Sequence, residues 1–238
     1  MRKMAIFYLI LGLISLFGGS DAPNRRQLQG RLNIVNGYAS ECVMHSFFAQ
    51  SGWRRVEGEV GRNGIDGLYY KEKSGRITEV LVAESKWNKS RLGHSGKNRL
   101  LRQMSQEWVL KTLERLKKYR PNEAYSAIER LIRQGQYRAR LFCLFPRSHN
   151  RIQIQLFTIK NKGSNDFTLK IGRKLEPMTI GKPKNAFQQR MLEAYDRCRS
   201  KALHKYFPEL GKGEIHSLLE DNYLRPDDLI MLLRKAEK

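Results

Sequence analysis

Two acidic residues and a lysine are placed where they could hold a divalent cation and present an ammonium group beside it. The apolar residues 80–83 end at Glu84, and Lys86 follows two positions later. Because side chains on a strand repeat every second residue, a strand here would carry both charges on one face. Of the 23 acidic residues, only Glu84 has a lysine at that spacing. An acidic residue on a neighbouring strand, Asp66, could then share a cation with Glu84.

Phosphodiester hydrolysis is the chemistry that suits this set. It requires a nucleophilic water, a means of spreading charge from the phosphorus oxygens, and help for the leaving oxygen. Asp66 and Glu84 would hold Mg²⁺ or Mn²⁺, which take oxygen ligands, and the carbonyl of Ser85 could be a third ligand. Lys86 would lie beside the attacking water or the scissile phosphate. The competing interpretation is an exposed glutamate and lysine at the end of a strand.

A helix and three strands should position these residues. Apolar residues recur at three and four positions over 36–50, which predicts a helix. Strands are predicted at 53–60, 65–71 and 77–86, the last two joined by a turn at Ser74 and Gly75, so that a small antiparallel meander forms.

The rest of the chain alternates between predicted helices and strands. Helices are predicted at 98–120, 123–133, 186–206 and from 226 or 227 to 236, and strands at 137–145, 151–160 and 167–172. The predicted fold class is α/β (α+β), with a central mixed sheet flanked by helices. The predicted division is an N-terminal segment at 1–22, a linker at 23–31, a core domain at 32–175 and a basic helical C-terminal extension at 176–238.

The first 22 residues have the zones of a secretory signal. Basic residues at 2 and 3 precede an apolar run from 4 to 17, and small residues follow it. The run is shorter than the roughly 20 apolar residues that span a bilayer. Export after cleavage is the favoured interpretation, and an uncleaved anchor at residues 4–19, with membrane contact through this segment, is the alternative.

The charge of the chain indicates a polyanionic partner. Lysine and arginine number 45 against 23 acidic residues, which gives a formal net charge of +22. Such a field attracts nucleic acid first and anionic membranes second. Three widely spaced cysteines, Cys42, Cys143 and Cys198, indicate neither a zinc site nor a disulfide framework.

Three short sequences in this order resemble a known family. They are Gly-Ile-Asp-Gly at 64–67, Glu-Ser-Lys at 84–86 and Gln-Met-Ser-x-Glu-Trp at 103–108. With the predicted order of helix, three strands, helix and strand, residues 38–145 resemble the restriction-endonuclease-like PD-(D/E)XK nucleases. The motifs look most like the restriction-endonuclease-fold toxin nucleases of bacterial toxin and effector systems.

This resemblance implies an αβββαβ core and a Mg²⁺-dependent endonuclease acting on DNA or RNA. It implies catalytic roles for Asp66, Glu84 and Lys86, with Gln103 as a fourth active-site residue and Glu41 as an acidic residue on the first helix. A secreted toxin or effector, with an immunity protein as a possible partner, is the implied biological role. No proline precedes Asp66, which departs from the motif that names the superfamily.

Two other functions remain open at this stage. In one, the chain is a non-catalytic protein that binds nucleic acid or a membrane surface through its basic field. In the other, it is an immunity or scaffold protein on an inactive endonuclease fold, with Asp66 and Glu84 too far apart to share an ion. The oligomeric state is not indicated by the sequence.

Overall fold

The computed structural model of the chain describes residues 24–56, 64–88, 90, 92–95, 101–119, 121–147, 151–159, 171–220 and 224–236. The helices within these ranges are α1 (Arg25–Gln50), α2 (Gln106–Tyr119), α3 (Ala124–Arg133), α4 (Ala186–Tyr206), α5 (Lys212–Leu219) and α6 (Pro226–Ala236). The strands are β1 (Arg54–Arg55), β2 (Gly67–Lys73), β3 (Arg76–Trp87), β4 (His94–Ser95), β5 (Leu101–Arg102), β6 (Arg138–Arg147), β7 (Arg151–Ile159), β8 (Ile171–Lys174) and β9 (Met178–Ile180).

The chain has a mixed α/β fold around one open sheet. The strand order is β1-β2-β3-β6-β7-β8, and β9 also pairs with β7. β3 and β6 run parallel, whereas the other neighbours in this sheet are antiparallel. The parallel pair is joined by α2 and α3, as a crossover between parallel strands requires. β4 and β5 form a separate antiparallel pair.

Helices cover both faces of the sheet. On one face, Val80 and Val82 of β3 pack with Trp108 of α2 and Ile128 of α3. On the other face, β3, β6 and β7 pack against α1 and α4, and the buried residues there include Val43, Leu81, Phe142, Ile154 and Met191. A third cluster joins the start of α1 to the C-terminal helices.

The first helix begins eleven residues before its predicted start, so most of the stretch predicted as a linker is helical. Asn24 caps α1 and forms a capping box with Gln27, which satisfies backbone N–H groups that a helix start leaves free. Leu28 is fully buried with Leu203 and Leu229. Periodic apolar residues were sparse in this stretch, and the cap and the distant partners decide the helix.

The predicted division at residue 175 does not correspond to a break in packing. β9 lies beyond that position and pairs with β7 inside the sheet. α4 packs along α1, and Cys42 of α1 forms a disulfide with Cys198 of α4. The spacing of the cysteines did not indicate this disulfide, because 156 residues of sequence separate two cysteines that the fold brings together.

The helix predicted at 98–120 begins at Gln106 instead. Residues 101 and 102 are extended, and Met104 has a positive φ of 72°. The hydroxyl of Ser105 accepts a hydrogen bond from the backbone N–H of Trp108 at 3.2 Å and caps the helix. The later start leaves Gln103 in a loop, where its side chain is free of helical constraints.

Several predicted elements are confirmed. The helix at 186–206 has the predicted bounds, and β3 is one residue longer than predicted at each end. Ser74 and Gly75 both have positive φ, as the tight hairpin turn between β2 and β3 requires. α5 and β9 were not predicted, and part of the strands predicted at 53–60 and 167–172 lies outside the described residues.

The predicted signal or anchor at residues 1–22 also lies outside the described residues. Within the described part of the chain, no helix is both long and apolar enough to cross a bilayer.

Candidate active site

The register of the sheet places Asp66 beside Glu84. Gly67 of β2 pairs with Ala83 of β3 in an antiparallel ladder, so the preceding residue on β2 faces the following residue on β3. The backbone N–H of Ser85 donates a hydrogen bond to Oδ2 of Asp66 at 2.9 Å. Two acids that are 18 positions apart in the sequence therefore meet at the same end of the sheet.

Glu84 is a buried carboxylate with unequal oxygens. Its side chain is 2% exposed. Oε1 accepts hydrogen bonds from Lys86 Nζ at 2.8 Å and from Gln103 Nε2 at 2.8 Å. Oε2 is equally buried, yet no donor among the described residues reaches it. A buried acceptor without a donor costs free energy, so such an atom calls for a partner: a water, a cation or a proton shared with Asp66.

Electrostatics at Glu84 agree with this geometry. Burial raises the pKa of Glu84 well above its ordinary value, and the neighbouring Asp66 carboxylate raises it further. The ammonium group of Lys86 opposes both effects. A second carboxylate that raises the pKa of Glu84 in this way is close enough to share a proton or a cation with it.

Gln103 links three elements around the carboxylate. Its Oε1 accepts hydrogen bonds from the backbone N–H of Gly93 at 2.7 Å and from Lys86 Nζ at 3.2 Å, while its Nε2 reaches Glu84. The amide therefore fixes the directions of both Glu84 and Lys86. The Lys86 side chain is 15% exposed, against 2% for Glu84.

Ser85 points away from the two carboxylates. Its hydroxyl lies 2.7 Å from that of Ser40 on α1, on the opposite face of the sheet from Glu84. The side chain therefore helps to fix β3 against α1. Its backbone lies next to Asp66, and the proposed ligand role concerns the carbonyl alone.

Glu41 lies half-buried on α1, on the side of the sheet opposite Glu84. Its charge and that of Asp66 both act on Tyr69 and raise its pKa, although burial is the main cause of that rise. Both charges are therefore near enough to Tyr69 to affect its ionisation.

Tyr69 and His45 were not predicted as part of the site. Nδ1 of His45 lies 2.6 Å from the Tyr69 hydroxyl. Burial, together with the nearby Arg55 guanidinium, lowers the pKa of His45 to about 3, so the ring is neutral at physiological pH. Tyr69 is 1% exposed. Its apolar neighbours in sequence gave no signal of this contact, which depends on the pairing of α1 with β2.

Gly67 is required by the ring of Tyr69. A Cβ added at Gly67 would lie 2.4 Å from Cε2 and 2.7 Å from the hydroxyl oxygen of Tyr69. Side chains at these two positions lie on one face of β2, so a larger residue at 67 would collide with the ring. Close packing of the Tyr69 ring therefore explains why the second glycine of Gly-Ile-Asp-Gly, Gly67, has no side chain.

The donor set at this site fits a hard divalent cation. Among the described residues, no three His, Cys, Asp or Glu side chains converge as a metal-binding group. Mg²⁺ commonly binds through one or two carboxylates and keeps several waters. Asp66 and the undonated Oε2 of Glu84 would supply those carboxylates, and the carbonyl of Ser85 lies in the same strand segment.

Comparison of the chain with protein-family models, curated proteins and solved structures finds no match. The interpretation of the site therefore depends on the geometry and on the sequence motifs.

Proposed function

We propose that this chain is a metal-dependent nuclease that hydrolyses phosphodiester bonds of DNA or RNA. The observation that carries the proposal is the buried Oε2 of Glu84, which has no donor among the described residues and lies beside a second carboxylate. Such an arrangement is costly for stability and suits a cation. The net charge of +22 suits a polyanionic substrate.

The finer fold assignment, a restriction-endonuclease-like αβββαβ core, belongs to the same proposal. Its support is the order of α1, three antiparallel strands, the helical crossover and the parallel strand β6. The three motifs that resemble these nucleases lie at the site: Gly-Ile-Asp-Gly contributes Asp66, Glu-Ser-Lys contributes Glu84 and Lys86, and the third contributes Gln103.

Each residue of the site would have its own role in the proposed hydrolysis. Asp66 and Glu84 would hold Mg²⁺ or Mn²⁺, with the Ser85 carbonyl as a third ligand, and the bound cation would neutralise charge on the phosphate oxygens. Lys86 would contact a phosphate oxygen or the attacking water. Gln103 would orient Glu84 and Lys86, and Glu41 would add negative charge on the α1 side.

A secreted toxin or effector is the role that we propose for this activity. The Cys42–Cys198 disulfide supports export, because disulfides persist in oxidising compartments. An immunity protein is a corresponding partner for such a toxin. Residues 1–22, as a signal peptide or an anchor at 4–19, are part of this proposal.

Cleavage assays test the proposal directly. The protein is incubated with plasmid, single-stranded DNA and tRNA in Mg²⁺, in Mn²⁺ and in EDTA. Cleavage that requires the metal and is lost in Asp66→Asn supports the nuclease. Binding without cleavage in any divalent metal supports the alternative, a non-catalytic protein for nucleic acids or membrane surfaces.

A further inference from the structure

The outer face of α4 carries a row of exposed cations that the site around Glu84 does not use. We define the basic stripe as Arg190, Arg197, Lys201 and Lys205, all of which are exposed. At 100° per residue, the first three lie within about 40° of one another around the helix. The opposite side of α4 is buried in the protein core through residues such as Met191, Tyr195 and Leu203.

The basic stripe has no neutralising partners within the described part of the chain. No carboxylate among the described residues forms an ion pair with its four members. Glu193, an acidic residue on the same side, instead accepts a hydrogen bond from Gln189 at 2.8 Å. On α2 and α3, by contrast, Lys111 pairs with Glu107, and Glu129 pairs with both Lys117 and Arg133.

Two contacts fix α4 on the face of the sheet opposite Glu84, near the end of β3. The Tyr195 ring stacks on Trp87, which follows Lys86 on β3, with an interplanar angle of 5°. The disulfide places the Cα atoms of Cys42 and Cys198 6.5 Å apart. Arg197 and Glu41 are their sequence neighbours. With consecutive Cα atoms about 3.8 Å apart, the Cα atoms of Arg197 and Glu41 are separated by at most about 14 Å, so the basic stripe lies on the α1 side of the sheet, opposite Glu84.

We propose that the basic stripe binds the phosphate backbone of nucleic acid. From Arg190 to Lys205 the helix rises about 22 Å, a length over which several phosphates of a nucleic acid can be contacted. An anionic membrane is the less favoured partner, because interfacial helices insert an apolar face and that of α4 is already buried. This binding does not depend on the proposed nuclease function.

A triple variant tests this proposal. Arg190→Ala, Arg197→Ala and Lys201→Ala are combined in the full chain, and binding to a 20-base-pair duplex, a single strand and an RNA hairpin is measured in EDTA at several salt concentrations. Removal of three phosphate contacts should lower the slope of log K against log salt by about 2 to 3. Affinity at low salt should fall at least about tenfold.

The control variant removes the same charge from another surface. Arg115→Ala, Lys118→Ala and Arg130→Ala, on α2 and α3, also replace two arginines and one lysine. We expect its affinity to change less than about threefold, since net charge alone acts weakly through salt screening. Equal losses in the two variants, or wild-type binding by the stripe variant, would overturn the proposal. So would loss of binding to phosphatidylserine vesicles with nucleic-acid binding unchanged.

Cleavage assays separate this proposal from the proposed function. If the wild-type protein cleaves in Mg²⁺ while the stripe variant binds as the wild type does, the nuclease stands and the stripe proposal is wrong. If no metal supports cleavage while the stripe variant alone loses affinity in EDTA, the stripe proposal stands and the nuclease is wrong.

Discussion

Two glutamates on the same strand, Glu84 and Glu79, show how differently the fold treats one residue type. Each has a cation partner, Lys86 for Glu84 and Arg138 for Glu79. The side chain of Glu79 is 36% exposed, and that of Glu84 is 2% exposed. Glu79 can complete its hydrogen bonds with water, whereas Oε2 of Glu84 has no donor among the described residues.

The difference teaches that an ion pair alone does not identify a site. Exposed pairs contribute little to stability and are common on protein surfaces. A buried carboxylate must overcome a desolvation cost of several kcal/mol, which one lysine and one amide offset only in part. The part of this desolvation cost that remains at Glu84 is the physical reason to assign function there. Glu79, which is exposed, is treated as an ordinary surface residue.

Cleavage should show the largest contrast between the two glutamates. Glu84→Gln keeps the shape of the side chain but removes a charge from the proposed metal site, so we expect cleavage to fall by about a thousandfold or more, roughly 4 kcal/mol of transition-state stabilisation. Glu79→Gln should cleave at the wild-type rate. Initial rates on plasmid at saturating Mg²⁺ check this, and comparable losses in both variants would remove the distinction.

Substitution of Gly67 tests whether packing of the Tyr69 ring holds the backbone next to Asp66 in place. Gly67→Ala should force the Tyr69 ring to move, because the added Cβ meets it at 2.4 Å. Overpacking of this kind costs about 1–3 kcal/mol, and displacement next to Asp66 should also lower cleavage. Urea denaturation and initial rates provide the measurements.

Gly37 is the matched control for that change. It lies inside α1, and a Cβ there meets nothing within 4 Å. Gly37→Ala should therefore raise the free energy of unfolding by about 0.5–1 kcal/mol through helix propensity. A stable and fully active Gly67→Ala protein would contradict the role assigned to the Tyr69 packing.

A small gain of stability is expected at Glu84 itself. Since folding raises the pKa of Glu84, ionisation of this residue destabilises the fold increasingly as pH rises above about 4. In metal-free buffer at pH 7, Glu84→Gln should be more stable than the wild type by about 1 kcal/mol, and the gain should shrink toward pH 4. Thermal unfolding at several pH values measures it; a loss of stability at neutral pH would argue against a strained carboxylate.

Much of the fold and several site residues could be predicted from local patterns. β3 is apolar with charges at its end, the turn at Ser74 and Gly75 has the residue types that positive φ demands, and α4 has a strong helical pattern with an Asn cap. The residue types and spacing of Asp66, Glu84 and Lys86 predict a hydrolytic site, and the resemblance to PD-(D/E)XK nucleases adds Gln103. The fold brings these four residues together.

Other features had no local signal. The start of α1 depends on Leu28, whose partners lie about 175 positions away or more. The pairing of Cys42 with Cys198 and the contact of His45 with Tyr69 likewise depend on how α1 packs against α4 and the sheet. The helix predicted at 98–120 is too long, because apolar residues at helical spacing continue before Ser105, the residue that caps the helix.

By itself, the sequence determined the basic charge, the strand that carries Glu84 and Lys86, and the types of residue available for chemistry, because these depend on composition and on short-range periodicity. Only the tertiary structure decided that Asp66 lies beside Glu84, that Gln103 reaches both Glu84 and Lys86, and that one oxygen of Glu84 is buried without a donor. Burial and hydrogen-bond partners are properties of packed neighbours from distant parts of the chain, and no local pattern contains them.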